Sequence, residues 1–185
     1  MKPALLVVDM NEDAIKPESR VYSPTIVELV PVINRLADAA RAGGAPVIWV
    51  SQQHRHQMID FGREADIGPA HCVEGTRGAE LIDGLKHLEN DYIVIKRRYS
   101  GFYNTDLEVL LRCLGVDTVV VTGTITDGCV LMTAMDAHAR DFYVRVVSDG
   151  TATTDDESQQ AALRIMGRTQ PNVVVTADQA VQLFA

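Results

Sequence analysis

The chain has 185 residues and a mass of 20.3 kDa, enough for one domain that buries about two-thirds of the surface its unfolded form exposes. Hydrophobic residues make up 46% and charged residues 23%, with 13 Gly and 7 Pro, which excludes a disordered, collagen-like or membrane-embedded chain. Asp and Glu outnumber Lys and Arg by 25 to 17, a net charge of −8 that works against nucleic acid or anionic lipid as partner and leaves a small molecule as the expected ligand.

Taken in chain order, short apolar runs rich in β-branched residues alternate with stretches of helical period, the pattern of βαβ units and a parallel sheet. Six runs qualify as strands: Ala4–Val8, Pro46–Val50, Tyr92–Ile95, Thr118–Thr122, Tyr143–Val147 and Asn172–Val175. Their near-continuous hydrophobicity suits central strands covered on both faces, an α/β fold of three layers. Nothing marks a linker or a second domain, so residues 1–185 are expected to form one domain. Leu5-Leu6-Val7-Val8 is too short for a signal-peptide core or a membrane span.

Between the runs, Ser23-Pro24 reads as a helix start and Gly43-Gly44 as its stop, predicting a first helix over about 23–43. Thr105-Asp106-Leu107-Glu108 and Thr154-Asp155-Asp156-Glu157 fit the capping box and are expected to open the third and fifth helices. Residues 52–79 hold His54, His56 and several glycines with no sustained period, and so long a loop is expected to wall a pocket.

Cys72, Cys113 and Cys129 show no CxxC spacing, which excludes a disulfide framework or a cysteine-only zinc site and suggests a reducing compartment, the cytoplasm. In a parallel sheet, ligands bind beyond the carboxyl ends of the strands. Asp9 follows the first strand, Lys96 the third, and Cys129 lies just past the fourth after Gly123-Thr124-Ile125-Thr126-Asp127-Gly128. The run Cys129–His138 has helical propensity, so the thiol is expected in a first helical turn, where the helix N-terminus and the Lys96 ammonium would lower its pKa. Asp9 could then exchange a proton with the thiol. The plainer readings are a turn residue for Asp9 and, for Lys96 with Arg97 and Arg98, a solvated basic loop. Cys113, in Leu110-Leu111-Arg112-Cys113-Leu114, is expected to be a buried filler, and Cys72 to lie beside the pocket loop.

Five pieces now stand in order: Leu5-Leu6-Val7-Val8-Asp9-Met10; His71-Cys72-Val73-Glu74-Gly75-Thr76-Arg77-Gly78; Ile95-Lys96 with Tyr99-Ser100-Gly101-Phe102; Val121-Thr122-Gly123 through Thr126-Asp127-Gly128-Cys129-Val130; and Thr133-Ala134-Met135-Asp136-Ala137. The ordered set resembles the isochorismatase-like cysteine hydrolases, which include nicotinamidases, N-carbamoylsarcosine amidohydrolase, ureidoacrylate amidohydrolase and biuret hydrolase. The resemblance implies a Rossmann-like six-stranded parallel sheet in the order 3-2-1-4-5-6 and a catalytic triad of Asp9, Lys96 and Cys129. It also implies a cis peptide between Thr124 and Ile125, and an oxyanion hole from the backbone N–H groups of Ile125 and Cys129. Family members are commonly dimers or tetramers, so a homo-oligomer is expected.

Departures bear on the substrate. Nicotinamidases usually carry Asp-x-His and a further His for a metal, whereas this chain reads Gln52-Gln53-His54; His54, Asp60 and His71 remain as groups that could hold zinc or manganese. Loop histidines are more often solvated or hydrogen-bonded, and neither a metal nor another cofactor is expected. Ala14 and Gly68 stand where nicotinamidases commonly have Phe and Trp, which disfavours nicotinamide. Retaining Cys129 disfavours the water attack of vinyl-ether hydrolases. What remains is an amidohydrolase that acts on a small amide or ureide and releases ammonia through a thioester, with vinyl-ether hydrolysis and a nicotinamidase of modified metal site as alternatives. Asn11, Gln52, Tyr99, Tyr103 and Asn104 are the expected substrate contacts, and Lys96, Arg97 and Arg98 an expected cationic rim suited to a carboxylate-bearing amide.

Overall fold

The computed structural model describes residues 1–19 and 22–185. Six strands, β1 (Pro3–Val8), β2 (Val47–Gln52), β3 (Tyr92–Lys96), β4 (Thr118–Thr124), β5 (Tyr143–Ala152) and β6 (Val174–Val175), form one parallel sheet in the order β3-β2-β1-β4-β5-β6. Strand alternation divides the core. Ala4, Leu6 and Val8 of β1 face one apolar layer, while Leu5 and Val7 face the other. The first layer is closed by α2 (Leu107–Cys113), α3 (Leu131–His138) and α4 (Asp156–Met166), the second by α1 (Leu29–Ala42) and α5 (Ala177–Gln182). Truncating a fully buried residue such as Leu6 to Ala would cost about 2–5 kcal/mol. Among the described residues, no helix is long and apolar enough to cross a membrane.

The predicted first helix divides in two. Ser23 caps a short 3-10 turn, Pro24–Ile26, and α1 begins only at Leu29. Pro31 explains the break, because its ring would clash with the carbonyl of Val27 in a continuous helix. From there Leu29, Ile33, Leu36, Ala37 and Ala40 repeat on one face, and that face is buried.

Neither predicted capping box forms. Thr105 Oγ1 accepts the Leu107 N–H at 3.2 Å and donates to the Gly101 carbonyl at 2.5 Å, so it closes a turn ahead of α2. At α4 the cap is Asp155, one residue later than expected, which accepts the Ser158 N–H at 2.8 Å. The box that does form, Thr176 with Gln179, opens α5. Helix α2 is the second α-helix and not the third, because the connection between β2 and β3 holds only the 3-10 turns Gly62–Asp66 and Arg77–Ala79. Cys113 is exposed, contrary to expectation. Leu107 and Leu111 set the buried face of α2, and a residue two positions past Leu111 points about 200° away from it.

Candidate active site

The register places the site. Val8 of β1 pairs with Val50 of β2 and Gly123 of β4, and Gln52 pairs with Lys96 at the end of β3, so four strands finish on one rim. A side chain at Gly123 would put its Cβ 2.0 Å from the Val8 carbonyl oxygen, and φ there is +111°, so this close approach of β4 to β1 requires glycine. Thr124 Oγ1 then donates to the Asp9 carbonyl at 2.8 Å and ties the two strand ends together.

Asp9 leaves β1 with φ 48°, a left-handed conformation that Asp tolerates better than most side chains. Its own N–H still bonds the Val50 carbonyl at 2.9 Å. Asp9 Oδ1 accepts the Gln52 N–H at 2.8 Å, and Oδ2 lies 2.7 Å from Lys96 Nζ. Lys96 is fully buried; its Nζ donates to the Arg98 carbonyl at 3.0 Å, to Gln52 Oε1 at 3.3 Å and to Cys129 Sγ at 3.3 Å. The Thr124–Ile125 peptide is cis, and beyond it Thr126–Val130 forms a π-helical turn that carries Cys129 and leads into α3. The thiol therefore sits in a widened turn ahead of the α-helix that its sequence suggested.

Charge counting decides the resting state. The Asp9 carboxylate and the Lys96 ammonium cancel, so ionising Cys129 would leave a net negative charge out of water. Burial pushes the Cys129 thiol well up, the Asp9 charge adds to this, and Lys96 opposes both. This reverses the lowered thiol pKa expected from sequence. For Lys96 burial works downward, but Asp9 and Cys129 outweigh it and hold the ammonium above its ordinary range. Passing the thiol proton to Asp9 keeps the triad neutral and is the route of least electrostatic cost.

A family model, the isochorismatase domain, matches residues 3–179. The chain belongs to the isochorismatase family. It is 37% identical over 167 residues to a probable inactive nicotinamidase of Arabidopsis thaliana, covering 85% of this chain and 84% of that one. An isochorismatase-like hydrolase from Alkaliphilus metalliredigens superposes with a TM-score of 0.90 at 34% identity over 100% of both chains. N-carbamoylsarcosine amidase from Thermoplasma acidophilum gives a TM-score of 0.83 at 34% identity, covering 96% of this chain and 98% of that one. This isochorismatase-family hydrolase, with its parallel sheet in 3-2-1-4-5-6 order, shares its fold with the Alkaliphilus metalliredigens protein.

The triad's Asp9 and Cys129 line a cavity of about 200 Å³ together with Asn11, Gln52 and Tyr99, three of the five expected contacts. Asn11 is buried; its Nδ2 donates to Ser51 Oγ at 2.9 Å and to the Ala79 carbonyl at 2.7 Å, which leaves Oδ1 buried without a partner. Tyr103 lines instead a neighbouring cavity of about 880 Å³, which shares Glu64 and Tyr99 with the smaller one, and exposed Asn104 lines neither. Of the expected cationic rim, only Arg98 lines a cavity, the larger neighbouring one, and neither Arg97 nor Arg98 lines the smaller one. Lys96 is in the triad, Arg97 faces Asp60 and Glu74 at 3.4 and 3.6 Å, and Arg98 donates to the Asp60 carbonyl at 2.6 Å.

Of the three groups named as metal candidates, Asp60 lies on the Nδ1 side of His54, outside the cluster. It accepts the Arg55 N–H at 3.0 Å, and its Oδ1 is 3.6 Å from His54 Nδ1. Glu64, missed in the sequence, takes its place: ligand atoms of His54, Glu64 and His71 all lie within 4.8 Å of one another. Burial works to raise the Glu64 pKa, but hydrogen bonds from His71 and Gln52 outweigh it and hold the carboxyl below its ordinary value. Burial pushes the His54 pKa below its ordinary value. Cys72 is also buried against this pocket, and burial together with Asp9 holds its thiol far up.

Proposed function

We propose that this chain, acting as one domain, is a cysteine-dependent amidohydrolase that cleaves the C–N bond of a small primary amide or carbamoyl compound and releases ammonia. The observation that carries this reading is a buried ammonium, Lys96 Nζ, held 2.7 Å from Asp9 Oδ2 and 3.3 Å from Cys129 Sγ, two residues that line a cavity of about 200 Å³. That volume suits a small substrate.

Asp9 takes the thiol proton as Cys129 Sγ attacks the carbonyl carbon. The N–H groups of Ile125 and Cys129 are the donors assigned to the developing oxyanion. Asp9 returns the proton to the substrate nitrogen, the C–N bond breaks and ammonia leaves a thioester on Cys129. Asp9 then accepts a proton from water, whose oxygen attacks the thioester carbonyl; the acid departs and the proton passes back to sulfur. Lys96 keeps the negative charge neutralised as it moves between sulfur and carboxylate. The unpartnered Asn11 Oδ1 offers an acceptor for an N–H of the substrate. N-carbamoylsarcosine amidase, similar in sequence and shape, bears a name that fits this substrate class. Among the described lining residues no Phe or Trp faces the cavity, and Ala14 stands there instead, so a flat aromatic amide is disfavoured.

An ammonia-release screen over N-carbamoyl amino acids, biuret, maleamate, ureidoacrylate-like ureides and nicotinamide tests the proposal. Turnover of a linear amide or ureide in preference to nicotinamide is expected. Release of ammonia from none of them would overturn the reading and point to vinyl-ether hydrolysis.

A further inference from the structure

His54, Glu64 and His71 bring three ligand atoms within 4.8 Å of one another, a spacing that suits a divalent cation. What the chain places among them is an amide. Gln52 Nε2 lies 2.8 Å from His54 Nε2 and 2.9 Å from Glu64 Oε2, so the two amide hydrogens reach two of the three candidate ligands. Its oxygen points the other way and accepts from Lys96 Nζ at 3.3 Å.

The orientation of this amide is forced from both sides. Turned over, Gln52 would set its oxygen against the Glu64 carboxylate and its NH₂ against the Lys96 ammonium, losing the hydrogen bonds to both and creating two repulsive contacts. The group cannot easily withdraw, because Gln52 is the last residue of β2, paired with Lys96, and its N–H is bonded to Asp9 Oδ1. A metal bound to His54 Nε2 and Glu64 Oε2 at about 2.0–2.2 Å would have to occupy the space that Nε2 fills. The residues therefore do not fit a metal as they stand.

We infer that the Gln52 carboxamide stands in the place of a cation, as a positioning residue that joins the His54, Glu64 and His71 cluster to Lys96 of the triad. It gives Glu64 Oε2 and His54 Nε2 a neutral partner, while Glu64 Oε1 and His54 Nδ1 stay buried without a hydrogen-bond partner, and removing it uncovers a metal site. The test needs no substrate, so it can fail independently of the amidohydrolase reading.

Wild type, Gln52→Asp and Gln52→Asp with His71→Ala are equilibrated with zinc alone, passed through a desalting column and assayed for metal by mass spectrometry. Cobalt(II) absorption is recorded in parallel. The expected result is no retained zinc in wild type, about one equivalent per chain in Gln52→Asp with new cobalt d–d bands, and loss of both on adding His71→Ala. Should Gln52→Asp lose its cooperative thermal transition, Gln52→Ala replaces it, with the same gain expected at higher zinc concentration. About one equivalent of zinc held by wild type and removed by His71→Ala would overturn the inference. So would a folded Gln52 variant that gains no zinc.

Discussion

On one side of Gln52, strand ends hold Asp9 and Lys96 as two full charges 2.7 Å apart, with Cys129 against the ammonium. On the other side Glu64 sits on a 3-10 turn of a long connection, and its close partners are an amide and, at 3.5 Å, His71. Both sides bury a carboxylate, but one balances it with a permanent cation and the other with an amide and a histidine ring. The difference separates a charge-balanced site, proposed to transfer protons internally, from a hydrogen-bonded wall. Substitutions should accordingly be catastrophic for chemistry on the first side and graded on the second.

Cys129→Ala, which removes the proposed nucleophile, is expected to give the largest effect: loss of amide turnover by at least about 10³-fold, with an unchanged far-ultraviolet spectrum. Activity within tenfold of wild type would erase the contrast between the two sides. Next comes Lys96→Met, which leaves the Asp9 carboxylate buried without its cation. A loss of about 3–5 kcal/mol in urea unfolding is expected, together with a fall in kcat of about 10²-fold.

Across the pocket, Glu64→Gln should cost less, about 1–3 kcal/mol at neutral pH. Here pH sharpens the comparison. The folded-state pKa of Glu64 lies below its ordinary value of 4.5, so its contribution is complete above that pH and is lost as pH falls through the folded value. Wild type should thus lose stability more steeply than Glu64→Gln below about pH 4.5, read from urea midpoints at pH 7, 5 and 3.5. Parallel pH curves would mean that Glu64 does not carry the charge on this side. The smallest effect belongs to Tyr103→Ala, outside the triad cavity and half exposed, where kcat/KM should change by less than about twofold.

The same division governs what could be read from the sequence. Asp9, Lys96 and Cys129 follow apolar runs at or near strand ends, so run length puts them on one rim, the family resemblance picks them out from a turn residue and a basic loop, and the sheet register brings them together. Glu64 lies in Gly62-Arg63-Glu64-Ala65-Asp66, which reads as a solvated charge cluster; only the path of the connection turns this one carboxylate inward. Gln52 reads as the start of a loop, yet it ends β2, and that extra pairing with Lys96 gives it its linking role. Arg97 and Arg98 look like a rim in sequence, but their guanidinium groups bind loop carbonyls and acids away from the triad. Cys113 shows that an apolar neighbourhood does not bury a residue when its helical phase is wrong.

The most direct test of Cys129 as nucleophile is the mass of the enzyme caught during turnover. With an amide that releases ammonia, acid quenching followed by peptide mass spectrometry should show an acyl increment on the peptide carrying Cys129, and hydroxylamine should remove it as the hydroxamate. Steady turnover with no adduct under single-turnover quenching, joined to retained activity in Cys129→Ala, would contradict the thioester and with it the role assigned to the triad.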